Sequence, residues 1–204
     1  MSFLRSVFGP SKNEIWQQLA HDIRASYDEG SFWKGSKVEA TVGEWTIVLD
    51  THTVSTGKTT VVYTRLRAPY VNADGFQFKI YEENFFSSIG KFFGMQDVET
   101  GHPPFDERFI VQGNDESKLK LLLSNGAIRT LLDVQPTITL EVKDDEGWLR
   151  TRYPENVDLL YFHVIGVIKD LDRLKNLYDL FAEVLQELCR IGSAYKDAPN
   201  VKLE

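Results

Sequence analysis

Residues 52–64 read HTVSTGKTTVVYT, and Gly57-Lys58-Thr59 within them is the second half of a phosphate-binding loop. That loop needs G-x-x-x-x-G-K-[ST] between a strand and a helix, so that backbone N–H groups and the helix dipole can wrap a phosphate. Here the first glycine position is His52, and Thr-Thr-Val-Val-Tyr-Thr after Lys58 favours a strand. The stretch therefore reads as strand–turn–strand, with Gly57 in a left-handed turn conformation and Lys58 in water.

Metal chemistry would need clustered donors. His21, His52, His102 and His163 share no helical or strand spacing. Asp97, Glu99, His102, Asp106 and Glu107 gather in one loop, but without calcium-loop spacing, and Pro103-Pro104 accounts for the loop by itself. No metal and no cofactor is expected. Hydrolytic chemistry lacks a G-x-S-x-G elbow, because Gly192-Ser193-Ala194 follows a helix instead of joining a strand to one. His163 lies in an apolar strand pattern and reads as a hydrogen-bonded structural histidine. Cys189 sits in an apolar helical run, without a nucleophile's local signature, and reads as a small buried hydrophobe. No catalytic residue is nominated, and the reading leans away from an enzyme.

The elements that would position these groups follow from periodicity. Ser11-Lys12-Asn13-Glu14 is a capping box, and Ile15, Trp16, Leu19, Ala20, Ile23 and Tyr27 extend a helix to Gly30. Val38, Ala40 and Val42, then Gly43-Glu44, then Trp45, Ile47 and Leu49 predict a hairpin. Strands are expected at 59–66, after the Asn72-Ala73-Asp74-Gly75 turn at Phe76, Phe78 and Ile80, and at 105–112. Asp115 caps a middle helix that Asn125-Gly126 interrupts. Ile138, Leu140 and Val142 form a strand whose hairpin partner is expected at 148–153. Residues 159–168 are apolar on both faces, which suits a central strand. Asp170 caps a long helix with Leu171, Leu174, Tyr178, Phe181, Leu185 and Leu188 at three- and four-residue spacing, and Gly192 stops it.

Hairpins dominate and regular βαβ alternation is missing. The expected fold is α+β: a mainly antiparallel sheet of about seven to nine strands, covered by an N-terminal helix, a middle helix and a long C-terminal helix. Residues 1–204 read as one domain, with any internal boundary confined to 94–104. The final Leu203-Glu204 is given no structural weight.

Composition narrows the function classes. With 204 residues and 42% of them apolar, a real core is available. A net charge of −7 argues against nucleic acid. The best basic pairs, Arg65/Arg67 and Arg150/Arg152, alternate along strands and read as solvated faces. One cysteine permits no intrachain disulfide and suits a reducing compartment, so a cytoplasmic setting is expected. No run approaches the ~18 apolar residues that a transmembrane segment needs. The opening MSFLRSVFG is too short for a signal peptide's apolar region.

The least ordinary feature is an aromatic cluster. Phe85, Phe86, Ile89, Phe92 and Phe93 fall on one helical face, opposite Ser87, Ser88 and Lys91. Phe3, Leu4, Val7 and Phe8 repeat the pattern near the N-terminus. Short amphipathic segments with a cation on the polar face suit an interfacial contact, whereas most apolar helical faces simply cover a sheet. Phe85, Phe86, Ile89, Phe92 and Phe93 are the candidate interaction face.

The run FDERFIVQGNDESKLKLLLSNGAIRTLLDVQ, with ITLEVKDDEGW and YFHVIGVIKDLDRLKNLYDLF beyond it, resembles a stretch in uncharacterised bacterial proteins of unknown function. The resemblance implies a bacterial origin and brings no activity or site residue with it. The expected function is that of a soluble, non-catalytic binding domain, engaging a protein partner or, peripherally, a membrane surface. The alternative is an enzyme or small-ligand carrier with a pocket between sheet and helices.

Overall fold

In a computed structural model the structure describes residues 9–31, 35–55, 57–82, 95–144 and 153–203. Nine strands among the described residues form one sheet: β1 (Ser26–Asp28), β2 (Lys37–Val42), β3 (Trp45–Ser55), β4 (Thr60–Val71), β5 (Phe78–Glu82), β6 (Gln96–Asp97), β7 (Phe109–Gly113), β8 (Thr139–Lys143) and β9 (Val157–Ile165). Their order across the sheet is β1-β2-β3-β4-β9-β8-β5-β7-β6. Every pairing of neighbouring strands is antiparallel. The α+β architecture expected from the hairpin signals is the one observed.

Five described helices accompany the sheet: α1 (Lys12–Asp22), α2 (Pro103–Asp106), α3 (Glu116–Ser124), α4 (Gly126–Asp133) and α5 (Leu171–Arg190). The Ser11–Glu14 capping box opens α1. Asp115, Asn125 and Asp170 cap α3, α4 and α5 by accepting from Lys118, Ala127 and Arg173 N–H groups. Gly192 ends α5 at φ +79°, and the Ser193 N–H reaches back to the Leu188 carbonyl at 2.8 Å. These backbone groups have no helical partner otherwise, which is why the cap residues mark the boundaries so clearly.

Alternation sorts the strand residues onto two faces. One face carries Val38, Ile47, Leu49, Leu66, Ala68, Ile80, Leu140, Leu160 and Phe162, all buried in one core with residues of all five helices. The α5 stripe of Leu174, Leu177, Phe181, Val184, Leu185 and Leu188 lies over it. Two amphipathic side chains fasten helix to sheet by their polar tips. The Trp16 indole donates to the Ile168 carbonyl at 3.1 Å, and the Tyr178 hydroxyl to the Val38 carbonyl at 2.9 Å. On the opposite face a second, small apolar cluster joins Val48 and Leu159 to Leu203, with Tyr153, Tyr161 and Val201 beside them.

Four expectations need correcting. The first helix ends at Asp22, not at Gly30: Arg24 takes φ +55°, Ala25 N–H bonds the Ala20 carbonyl at 2.8 Å, and Tyr27 leaves the helix to pair with Val38. The strand expected at 105–112 begins at Phe109, because Pro103-Pro104 open the helical turn α2, whose Phe105 is buried. The hairpin partner of β8 is β9, and β5 fills its other edge; residues 148–152 of the expected partner lie outside the described residues. Leu203 is buried and closes the second cluster, so the C-terminal segment does have a packing role. Within 94–104, the stretch expected to hold any boundary, lies the edge strand β6, which pairs with β7.

Candidate functional site

The second face of the sheet is where the structure departs furthest from the sequence reading. Asp50 on β3 lies directly opposite Arg65 on β4, which lies opposite His163 on β9. One step along, Val48, Arg67, Tyr161, Glu141 and Lys79 form a row across β3, β4, β9, β8 and β5. Both rows point away from the helical layer. Arg65 grips Asp50 with two bonds, Nε to Oδ1 at 2.5 Å and Nη2 to Oδ2 at 3.0 Å. Arg67 Nη2 adds a third at 2.5 Å. Glu141 is shared by two lysines, with Lys79 Nζ at 3.0 Å and Lys143 Nζ at 2.9 Å.

These charges are buried, with Arg67, Lys79 and Glu141 only 1%, 4% and 2% exposed. Arg65/Arg67 is therefore not a solvated face. Buried ions persist only when paired, since removing one partner strands a charge away from water. Burial pushes the Glu141 carboxyl up, but the ammonium groups of Lys143 and Lys79 outweigh it and hold the carboxyl below its usual range. The Lys143 ammonium also sits 4.0 Å from the centre of the Tyr161 ring, and burial raises that phenol.

His163 lies in the middle of this layer. Its ring meets those of Tyr63 and Tyr161 at centroid distances of 5.9 and 5.3 Å. Its Nδ1 is buried without a hydrogen-bond partner, contrary to the expectation of a bonded structural histidine. Burial, only partly opposed by Glu141, lowers its pKa to about 4. The imidazole is neutral at pH 7 and is held by ring contacts, so nothing described orients it as a general base.

Toward the free end of the β3–β4 hairpin, the face changes from charged and buried to apolar and exposed. Val54, opposite Val61, is 40% exposed; Ile165 is 58% and Val167 38% exposed. Gly166 ties the last two to β4 through its N–H on the Val62 carbonyl at 2.8 Å. Val54 has the parity of Asp50, and Ile165 that of His163, so both extend the charged face.

The other nominated residues are scattered. Lys58 is exposed at the tip of the β3–β4 hairpin, beside Gly57 at φ +80°, and no helix follows it. Asp106 turns its carboxylate onto the Thr100, Gly101 and His102 N–H groups and the Thr100 hydroxyl, so it shapes its own loop. Among the described residues, no group of three or more His, Cys, Asp or Glu side chains is placed to hold a metal ion. Cys189 is half-buried against the core, and burial raises its thiol. Ser193 is buried, its hydroxyl on Asp74. Phe85, Phe86, Ile89, Phe92 and Phe93, like Phe3–Phe8 and Arg150/Arg152, lie outside the described residues. No helix among the described residues is long and apolar enough to cross a membrane.

No family model matches the chain, and no curated protein does. Among solved structures, its fold is similar to that of the mycobacterial trehalose monomycolate transport factor A, TtfA. The TM-score is 0.52 at 9% identity, over 86% of this chain and 95% of that one. What this likeness carries is the fold. The sheet and its helices thus recur in a crystal structure despite almost no shared sequence.

Sequence reasoning missed the buried charged layer because its pairs are remote along the chain, 15 residues for Asp50–Arg65 and 62 for Lys79–Glu141. One signal was available. Asp50 ends the apolar run Ile47-Val48-Leu49, and aspartate is depleted in strands unless something pairs with it.

Proposed function

We propose that this chain is a non-catalytic binding domain, which engages a protein partner or a membrane surface. The observation that carries the reading is the exposed apolar end of the charged sheet face, Val54, Ile165 and Val167, three of the six large apolar side chains exposed among the described residues. Val61 and Tyr63 of β4 lie between these three, and apolar side chains exposed together at one end of a sheet face suit a contact site. The paired charges behind it hold the strands in register and leave no described group poised for proton transfer. The aromatic set Phe85, Phe86, Ile89, Phe92 and Phe93 is the second candidate contact on this reading. A named transport factor of the same fold is compatible with a non-catalytic role, and at 9% identity it lends no ligand. The single cysteine and the bacterial resemblance support a bacterial, cytoplasmic protein.

The test places a photo-crosslinking residue at Ile165 and follows adducts in cells. A protein adduct supports the partner arm and a lipid adduct the membrane arm. Loss of the adduct in the Val54→Ser/Val167→Ser background is expected. Absence of any adduct from the folded protein, and from one labelled at Phe86, would sink the reading.

A further inference from the structure

A cavity of about 520 Å³ opens on the helical side, between the tip of the β2–β3 hairpin and the last two turns of α5. Its volume falls within the range of small-molecule sites. The hairpin supplies Val42, Glu44 and Trp45, the helix supplies Glu183 and Arg190, and Lys196 comes from the segment after α5. Gly43 makes the tight turn at φ +57°, with the Trp45 ring about 3.9 Å from where its Cβ would stand. Trp45 is 3% exposed, and its indole N–H is buried without an acceptor.

Five charged side chains line this cavity: Glu44, Glu183, Glu187, Arg190 and Lys196. Glu187, buried at the helix, is satisfied: Arg190 Nε donates to Oε1 at 2.8 Å and Asn125 Nδ2 to Oε2 at 3.3 Å. Glu44, Glu183 and Lys196 make no hydrogen bond or ion pair among the described residues, although all three line the one cavity. Opposite charges that share a cavity and do not pair with each other leave room for a ligand to bridge them. A simple anion would meet Glu44 and Glu183, and a simple cation would meet Lys196, Arg190 being already engaged by Glu187. A molecule with one charge of each sign satisfies both sides, and Val42 and Trp45 offer its frame an apolar wall.

We propose that this cavity binds a small zwitterion, carrying an ammonium and a carboxylate or phosphate on one compact frame. The ammonium lies toward Glu44 and Glu183, and the anionic group toward Lys196. The site is separate from the exposed sheet end and does not depend on the binding-domain reading.

Calorimetric titration of the full chain tests it with leucine and with glycerophosphoethanolamine, alongside isocaproate and isoamylamine, which each lack one of leucine's charges. At least one zwitterion is expected to bind, and removal of either charge to weaken binding by about tenfold or more, the scale of one charge-assisted contact. Binding of leucine alone identifies an amino acid or peptide end, and binding of glycerophosphoethanolamine alone a lipid headgroup. Lys196→Ala is expected to abolish the preference over isoamylamine, and Glu183→Gln the preference over isocaproate. Both side chains are solvent-accessible, and unchanged melting of the variants is the check that they fold. Failure of both zwitterions to bind overturns the proposal, as does equal binding of the singly charged analogues. Neither variant touches Val54, Ile165 or Val167, so failure here leaves the crosslinking result unaffected.

Discussion

The two faces of the sheet are built from the same described strands and solve opposite problems. Leu49 and Asp50 are neighbours on β3: one enters the core shared with α5, and the other receives two arginines on the far side. The helical face is stabilised by non-directional burial, which tolerates any apolar side chain of suitable size. The charged face depends on individual partners, each within 2.5–3.0 Å. Loss of volume should therefore damage the first face, and loss of a single charge the second.

The largest effect is expected from Asp50→Ala, which leaves Arg65 and Arg67 buried beside an empty site. Unfolding in denaturant should register a loss of about 3–5 kcal/mol. Leu49→Ala, one residue away, should cost about 2–5 kcal/mol by opening a cavity under α5. The two losses should differ in kind. Asp50→Asn keeps nearly all the volume yet should retain much of the penalty, whereas Leu49→Met should cost less than about 1.5 kcal/mol. If Asp50→Asn proves neutral, the contrast between the faces collapses.

Acid should separate the faces next. The folded pKa of His163, lowered to about 4 from 6.5, means that the unfolded chain binds the proton more readily. Its contribution is complete above pH 6.5 and is lost as pH falls toward about 4, on the order of 3 kcal/mol at most. The depressed carboxyl of Glu141 acts with the same sign at lower pH, contributing above the ordinary carboxylate range and losing that contribution as pH falls through its folded value. Thermal melts of His163→Gln between pH 4 and pH 7 should show a shallower slope than the parent. An unchanged slope would remove His163 from the account.

Smaller effects are expected where the charged face turns apolar. Val54→Ser, Ile165→Ser and Val167→Ser should each change stability by less than about 0.5 kcal/mol, because these side chains already meet water. A large loss of stability at Ile165 would mean that it packs instead of docks. The smallest effect belongs to Lys58→Ala, with no change in melting and no binding of ATP to either protein. ATP binding that Lys58→Ala abolishes would restore the phosphate-loop reading.

Much of the helical face was legible in the sequence. The capping box at Ser11, the α5 stripe ended by Gly192, the Gly43-Glu44 hairpin and the central strand in 159–168 are all local patterns, spaced by the helix or strand period. The elements misplaced were those in which a local signal competed with a long-range one. Tyr27 kept helical spacing but pairs with Val38, and 148–153 offered a nearby partner for β8, whose edges are taken by β5 and β9. The candidate site was hardly legible at all. Arg65 and Arg67 alternate as solvated residues would, and nothing nearby announces Asp50 as their partner. Of the lining of the cavity under the hairpin, Val42, Gly43, Glu44 and Trp45 stood in the hairpin pattern, but nothing local brought them to Glu183, Arg190 and Lys196.

By itself, then, the sequence determined most of the longer elements, their caps and the fold class, because backbone hydrogen bonding and side-chain period act over a few residues. It also excluded a complete phosphate loop, since that motif requires a helix that β-branched residues after Lys58 do not favour. Only the tertiary structure decided which face each charge would meet. Strand order and register bring Lys79 on β5 to Glu141 on β8 and Arg65 on β4 to Asp50 on β3. Whether an alternating charge ends in water or in an ion pair depends on what the neighbouring strand presents at the same step, which no local pattern encodes.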